Sequence, residues 1–160
     1  MTVDQLRILV EQAAGEVVDR HGRPVPVTVV VPLEGSTKVL SLEAFPDDDA
    51  DRKEALSVLA ARQLAPANAS CFGFLAEASA PQGAVSGGAD LLVVVYGARR
   101  RGAWVMAAVL TADSDLGEFG EPEVLEPTAM PFLQPLQHAV DLAEPPSQPG
   151  QGEGGLPIIG

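Results

Sequence analysis

Three short runs of the sequence are apolar at nearly every position instead of alternating with polar residues. They are VTVVV at 27–31, LLVVV at 91–95 and VMAAVL at 105–110. Short runs rich in β-branched residues favour strands, and a strand that is apolar on both sides needs cover on both faces of its sheet. The sequence therefore predicts a sheet whose second face is covered either by the C-terminal segment or by another subunit, and we expect a homodimer.

The elements around these runs define the fold class. Residues 3–18 carry apolar side chains at helical spacing after a capping box formed by Thr2 and Gln5, and Gly22 is a natural end for that helix. Aspartates at 47–51 precede a second helical stretch that ends near Pro66. A short third helix is predicted at 132–142, and strands are predicted at 25–33, 38–45, 70–78, 91–96, 103–111 and 121–126.

Strands joined by short links are antiparallel. The order is therefore α-β-β-α-β-β-β-β-(α), which predicts an α+β domain with a mainly antiparallel sheet of five to six strands and two or three helices packed on one face. A length of 160 residues suits one domain. We place that domain at 1–143, with a flexible loop at 81–88 and a flexible Pro/Gly-rich tail at 144–160.

The net charge of −12 makes nucleic acid and anionic membranes improbable partners. All ten basic residues lie in 1–101, whereas 102–160 holds nine acidic residues and no basic one. This acidic third suits solubility or docking on a basic surface. The only long apolar stretch, 91–112, has three central arginines, which disfavour a membrane span. The first residues lack an export-signal pattern, so we expect a soluble cytoplasmic protein.

Sequence motifs for common chemistries do not match this chain. The single cysteine, Cys71, rules out an intramolecular disulfide, and with only His21 and His138 available neither a zinc site nor a Cys–His nucleophile is favoured. The aspartates at 47–51 resemble the start of a calcium loop, but Arg52 and Val58 occupy its glycine and glutamate positions. Helix capping explains the aspartates better, and we expect no cofactor and no metal.

The one basic cluster, Arg99, Arg100 and Arg101, lies at a predicted hairpin tip beside Trp104. Three guanidinium groups suit a carboxylate-rich or phosphorylated partner, so these four residues are the candidate partner-binding site. Two alternatives stay open. The tip is a solvated turn that deters aggregation of the neighbouring strands, or the acidic last third of the chain folds back onto it.

A low-specificity resemblance covers about forty residues. The stretch at 72–78, FGFLAEA, followed by a Gly-rich loop and a Val-rich hairpin, resembles small bacterial and phage α+β proteins that carry a strand of the type F-x-x-E-A-W. Ser79 stands where that pattern has tryptophan. The resemblance implies the same α+β order, carries no activity, and draws notice only to Glu77.

Two functional hypotheses follow. The absence of a catalytic motif favours a non-enzymatic protein-protein interaction or accessory module. The alternative is a small enzyme or ligand-binding domain that uses the carboxylates of Glu77, Asp113 and Asp115. The alternative predicts that these groups share a cleft and have raised pKa values.

Overall fold

The computed structural model of the chain describes residues 1–79, 90–111 and 113–144. These residues form, in chain order, α1 (Val3–His21), β1 (Thr28–Leu33), β2 (Ser36–Ser41), α2 (Asp49–Leu59), a π-helical turn (Ala60–Leu64), β3 (Cys71–Ser79), β4 (Asp90–Ala98), β5 (Gly102–Leu110), β6 (Glu123–Leu125), a 3-10 turn (Pro131–Leu133) and α3 (Gln134–Asp141). The predicted α+β class and order are confirmed. The predicted loop at 81–88, and the predicted tail beyond Glu144, lie outside the described residues.

The six strands form one sheet in the order β2-β1-β3-β4-β5-β6, and every neighbouring pair is antiparallel. The β3–β4 and β4–β5 pairs each run over nine residues and form the centre of the sheet. Strand β1 lies between β2 and β3, but its pairing with β3 covers only Thr28, Val29 and Val30. Pro32, which has no N–H to donate, therefore lies beyond that ladder.

Helices α1 and α2 begin where their capping residues predict. The Thr2 side chain accepts a hydrogen bond from the Gln5 backbone N–H at 3.1 Å, and the Thr2 N–H donates to Gln5 Oε1 at 2.8 Å. The Asp51 N–H donates to the Asp48 carboxylate at 3.1 Å, so the aspartate cluster does cap α2. No helix within the described ranges is both long enough and apolar enough to cross a membrane.

Two separate core clusters lie on opposite faces of the sheet, because successive side chains of a strand point to opposite sides. On one face, α1 packs on residues that include Val30, Leu75, Leu92, Val94, Tyr96 and Met106. On the other face, α2, the π-helical turn and α3 pack on residues that include Val29, Val31, Phe72, Phe74 and Val95. The molecule is therefore a three-layer arrangement of helix, sheet and helices.

The arrangement of helices differs from the expectation that they share one face. Cover for the second face comes from α1 on one side and from α2 and α3 on the other, all within one chain. The strands are apolar on both sides because both sides are buried by helices. Neither the segment after α3 nor a second subunit is needed for that cover, so the physical reason for expecting a homodimer no longer applies.

Two glycines let the helices come close to the two faces. A Cβ on Gly73 would lie 2.9 and 3.0 Å from the two methyl carbons of Val10 in α1. On the opposite face, a Cβ on Gly97 would lie 2.5 Å from both Gln137 Oε1 in α3 and Cε1 of the Phe72 ring. Each glycine thus leaves the space that its helix occupies.

Candidate functional site

An apolar groove of about 520 Å³ lies on the surface between α2 with its π-helical turn and α3. We call it the α2–α3 groove. Among the described residues, ten form its wall, of which four are alanines and none is acidic: Lys53, Ser57, Ala60, Ala61, Ala65, Gln134, Pro135, His138, Ala139 and Leu142. It is the feature of the described surface that most resembles a docking site, since it is concave and mainly apolar.

The groove exists because each helix uses one face to reach the core and leaves another open. Leu56 and Leu64 are fully buried, and so are Leu136 and Val140 of α3. The open faces are two rows with a spacing of four residues, which is the spacing of a helix ridge. One row is Lys53, Ser57, Ala61 and Ala65, and the other is Gln134, His138 and Leu142. All seven side chains are exposed.

The wall contributed by α2 ends in a π-helical turn. The Ala65 N–H donates to the Ala60 carbonyl at 2.9 Å, a bond that spans five residues. Single π-helical turns are rare in proteins as a whole, but those that occur are often found at functional sites. Here the turn places Ala60, Ala61 and Ala65, three residues with the smallest side chains, along the groove.

Three phenylalanines, from the chain before α2, from β3 and from the 3-10 turn before α3, form a cluster that Arg52 of α2 contacts. The rings of Phe45, Phe74 and Phe132 lie with centroids 5.9–6.0 Å apart. The Arg52 guanidinium carbon lies 5.2 Å from the centre of the Phe45 ring and 5.5 Å from that of Phe132. Cation–π contact of this kind fixes the end of the groove where both helices begin.

Hydrogen bonds fix the opposite end. Asn68 Nδ2 donates to the Glu144 carbonyl at 3.0 Å, and the Glu144 N–H donates to Asn68 Oδ1 at 2.9 Å. Gln137 Nε2 donates to the Ala98 carbonyl at 3.0 Å and to the Asp141 carboxylate at 2.8 Å. Because α3 is held both to the chain after the π-helical turn and to the sheet, the groove is preformed.

The charge of the groove wall is positive. Lys53 is the only Lys or Arg among the described residues of the wall, and the Lys53 ammonium donates across to Gln134 Oε1 at 3.5 Å. Within the described residues, the four ion pairs are Arg7–Glu11, Arg23–Glu77, Arg23–Asp90 and Arg52–Asp49, so Lys53 has no carboxylate partner there.

The structure places the four predicted partner-binding residues in different surroundings. The Arg100 N–H donates to the Asp141 carboxylate at 2.6 Å, which ties the hairpin tip to α3. Arg101 is exposed, whereas Arg99 Nε is buried and has no hydrogen-bond partner among the residues that the structure describes. Trp104 instead packs on the α1 core. The acidic last third does meet the tip, but through a backbone N–H and not through a guanidinium group.

Trp104 stacks on Tyr96 with ring centroids 5.7 Å apart and an angle of 16° between the planes. The indole is only partly buried. We therefore expect Trp104→Ala to lower the free energy of unfolding by about 2–3 kcal/mol, less than full burial would cost. Chemical denaturation measures this loss, with Trp104→Phe as the milder control. An unchanged midpoint for Trp104→Ala would contradict the stacked, packed position.

The three candidate catalytic carboxylates lie in different surroundings. Asp113 and Asp115 are exposed, at a turn in which the Thr111 N–H donates to the Asp115 carbonyl at 3.0 Å. Glu77 lies on β3, where Arg23 donates to its carboxylate at 2.5 Å and the Val25 N–H donates at 3.0 Å. The hydrogen bonds from Arg23 hold the pKa of Glu77 below its ordinary value, the opposite of the shift that an acid catalyst needs.

Arg23 also pairs with Asp90 and donates to the Thr111 carbonyl at 3.2 Å, so it joins the chain after α1 to the ends of β3, β4 and β5.

The Glu77 carboxylate contributes stability that is present above its ordinary pKa of 4.5 and is lost as the pH falls through its lowered folded value. We expect Glu77→Gln to be less stable than the wild type at pH 7 and to lose less stability between pH 5 and pH 3. Urea midpoints measure this, with exposed Glu121→Gln as control; parallel curves for the wild type and Glu77→Gln would contradict the prediction.

The remaining chemical candidates do not form a site within the described residues. Burial raises the pKa of the Cys71 thiol, which disfavours the reactive thiolate. No group of three potential metal ligands occurs among the described residues. His138 lies in the wall of the groove.

The sequence carries only a weak signal for the groove. The available signal was the spacing of Ser57, Ala61 and Ala65, which places small residues on one helix face away from Leu56 and Leu64. That pattern is common on ordinary exposed helices, so it becomes informative only once α3 is seen beside it.

Comparison with protein-family models, with curated proteins and with solved structures gave no match.

Proposed function

We propose that this protein is a non-enzymatic protein-binding module and that the α2–α3 groove is its binding surface. The observation that carries the proposal is an open groove of about 520 Å³ with small, apolar walls that are held in place at both ends. A preformed concave apolar surface lowers the cost of ordering on binding. The cytoplasmic location expected from the sequence is part of this proposal.

The partner is proposed to be a different protein. Both faces of the sheet are buried within one chain, so a second copy is not required to complete the fold. The basic tip at Arg99–Arg101 lies near the end of α3 through the bond between Arg100 and Asp141. It is proposed to contribute to the approach of a partner and not to the main contact, since electrostatic steering acts on association rates.

The test is capture from a lysate of the organism that encodes the protein, with the groove blocked in a matched variant. Ala61→Glu places a charged side chain in the middle of the α2 row, and exposed Gln12→Glu on α1 adds the same charge on the other face of the molecule. We expect one partner to be recovered with the wild type and Gln12→Glu and to fall at least tenfold with Ala61→Glu. Equal recovery with all three proteins would overturn the proposal.

A further inference from the structure

We propose that the occupant of the α2–α3 groove is an amphipathic helix of the partner protein that carries a carboxylate beside its apolar face. This inference rests on the proposed function and adds the chemical class of the ligand. It is drawn from the shape of the groove walls, the state of their backbone and the charge of their side chains.

The shape suits a helix. From Lys53 to Ala65 the α2 row is about 18 Å long at 1.5 Å per residue, which matches about three turns of a third helix. Small side chains in the middle of that row, Ser57 and Ala61, let the ridge of another helix approach closely. Apolar anchors at positions i, i+4 and i+7 of the partner would follow the groove.

The backbone of the walls disfavours an extended peptide. A bound strand needs N–H and C=O groups on its receptor to satisfy its own backbone. The groove is built from the side chains of helices, whose interior backbone groups are engaged within those helices. A helix brings its own backbone hydrogen bonds, so it is the form of peptide that this surface accepts at lowest cost.

The charge selects a carboxylate. Lys53 is the only formal charge on the groove wall and has no ion-pair partner within the described part of the chain. The nearby Asp49 is already paired with Arg52 at 3.9 Å. Because the whole chain has a net charge of −12, a strongly acidic partner would be repelled. The partner helix is therefore expected to carry one acidic residue near Lys53 and to be neutral or basic elsewhere.

The experiment uses the full chain as bait for a phage-displayed library of random 16-residue peptides. Enriched peptides are synthesised, and their affinity and helicity are measured by calorimetry and circular dichroism. We expect helical peptides with apolar residues at i, i+4 and i+7, one Asp or Glu, and a Kd of about 1–100 µM, as for a small transient interface. Ala61→Glu should weaken binding at least tenfold, and Leu142→Glu, at a side chain that is 68% exposed, tests the groove without disturbing the core.

A charge reversal tests the carboxylate directly. With Lys53→Glu as bait, the preferred acidic position should become Lys or Arg, whereas Lys38→Glu on exposed β2 makes the same change of net charge and should leave the preference unaltered. If the peptides selected with Lys53→Glu still carry an acidic residue at that position, the proposal that Lys53 pairs with a carboxylate of the partner is wrong.

The other outcomes separate the inference from the function on which it rests. Extended peptides that bind in the groove would overturn the proposal that its occupant is a helix. Peptides that bind in the groove without an acidic residue would overturn the proposed carboxylate. In both cases the proposed binding module would stand. Binders that neither groove variant affects would overturn both. Competition by a peptide of residues 145–160, or a dimer in sedimentation that Ala61→Glu abolishes, would replace the partner helix with a segment of this chain or a second copy.

Discussion

Replacing Gly97 with alanine is expected to lower the free energy of unfolding by about 2–3 kcal/mol and the melting temperature by about 5–10 °C. The new Cβ would lie 2.5 Å from Gln137 Oε1 and from Phe72 Cε1. Gln137 Oε1 is buried and Gln137 Nε2 is hydrogen-bonded to the Ala98 carbonyl and the Asp141 carboxylate, and the Phe72 ring is fully buried, so neither side chain has free space to move into. The helix α3 must therefore move off the sheet, and the α2–α3 groove should lose its shape with it.

Thermal melting and hydrogen exchange measure the two parts of this prediction. Faster exchange should be confined to α3 and to the residues that it contacts, and peptide binding to the groove should weaken along with it. Gly120→Ala, where the new Cβ would lie no closer than 3.8 Å to another atom, serves as the control for a change from glycine to alanine alone. A Gly97→Ala protein with wild-type stability would show that α3 does not need the close approach.

The second large effect is expected at Gly73, where alanine would place a Cβ 2.9 Å from one methyl carbon of Val10 and 3.2 Å from Val30 Cβ. We expect a loss of about 2–3 kcal/mol from overpacking between α1 and the sheet. Because the crowding is on the other face, the α2–α3 groove should keep its affinity for peptides at temperatures where the variant is folded.

A double variant tests whether contact with Val10 causes the loss of stability in Gly73→Ala. Val10→Ala alone removes two buried methyl groups and is destabilising, but it makes room for the new Cβ of Gly73→Ala. The double variant should therefore be more stable than the sum of the two single effects predicts, with a coupling of about 1 kcal/mol or more. Additive losses would mean that contact with Val10 is not what Gly73 avoids.

The local parts of the fold were predictable because they depend on neighbouring residues. The capping box of Thr2 and Gln5, the capping aspartates before α2 and the β1–β2 hairpin all follow from short-range rules. The strands that are apolar on both sides also indicated correctly that the sheet has two buried faces. The source of the cover was missed, since nothing in the spacing of α1 shows on which face of a distant β3 and β4 it packs.

The candidate site was less accessible from the sequence. Arg99, Arg100 and Arg101 are conspicuous as a cluster, whereas Ala61 and His138 are unremarkable in the sequence and lie 77 positions apart. They line the same groove only because Leu56 and Leu136 bury the opposite sides of their helices on one face of the sheet. A docking surface made of small residues has no sequence motif, because it is defined by the space between two helices and not by the residues of either one.

The sequence by itself determined which segments are helices and strands, the order in which they occur and the need to bury both faces of the central strands. The reason is that capping, turn chemistry and apolar periodicity act between residues close together in the chain. Only the tertiary structure decided that α1 covers one face and α2 with α3 the other, and that a groove remains between the latter. Those features depend on packing at Gly73 and Gly97, where the absence of a side chain matters only once a helix lies above it.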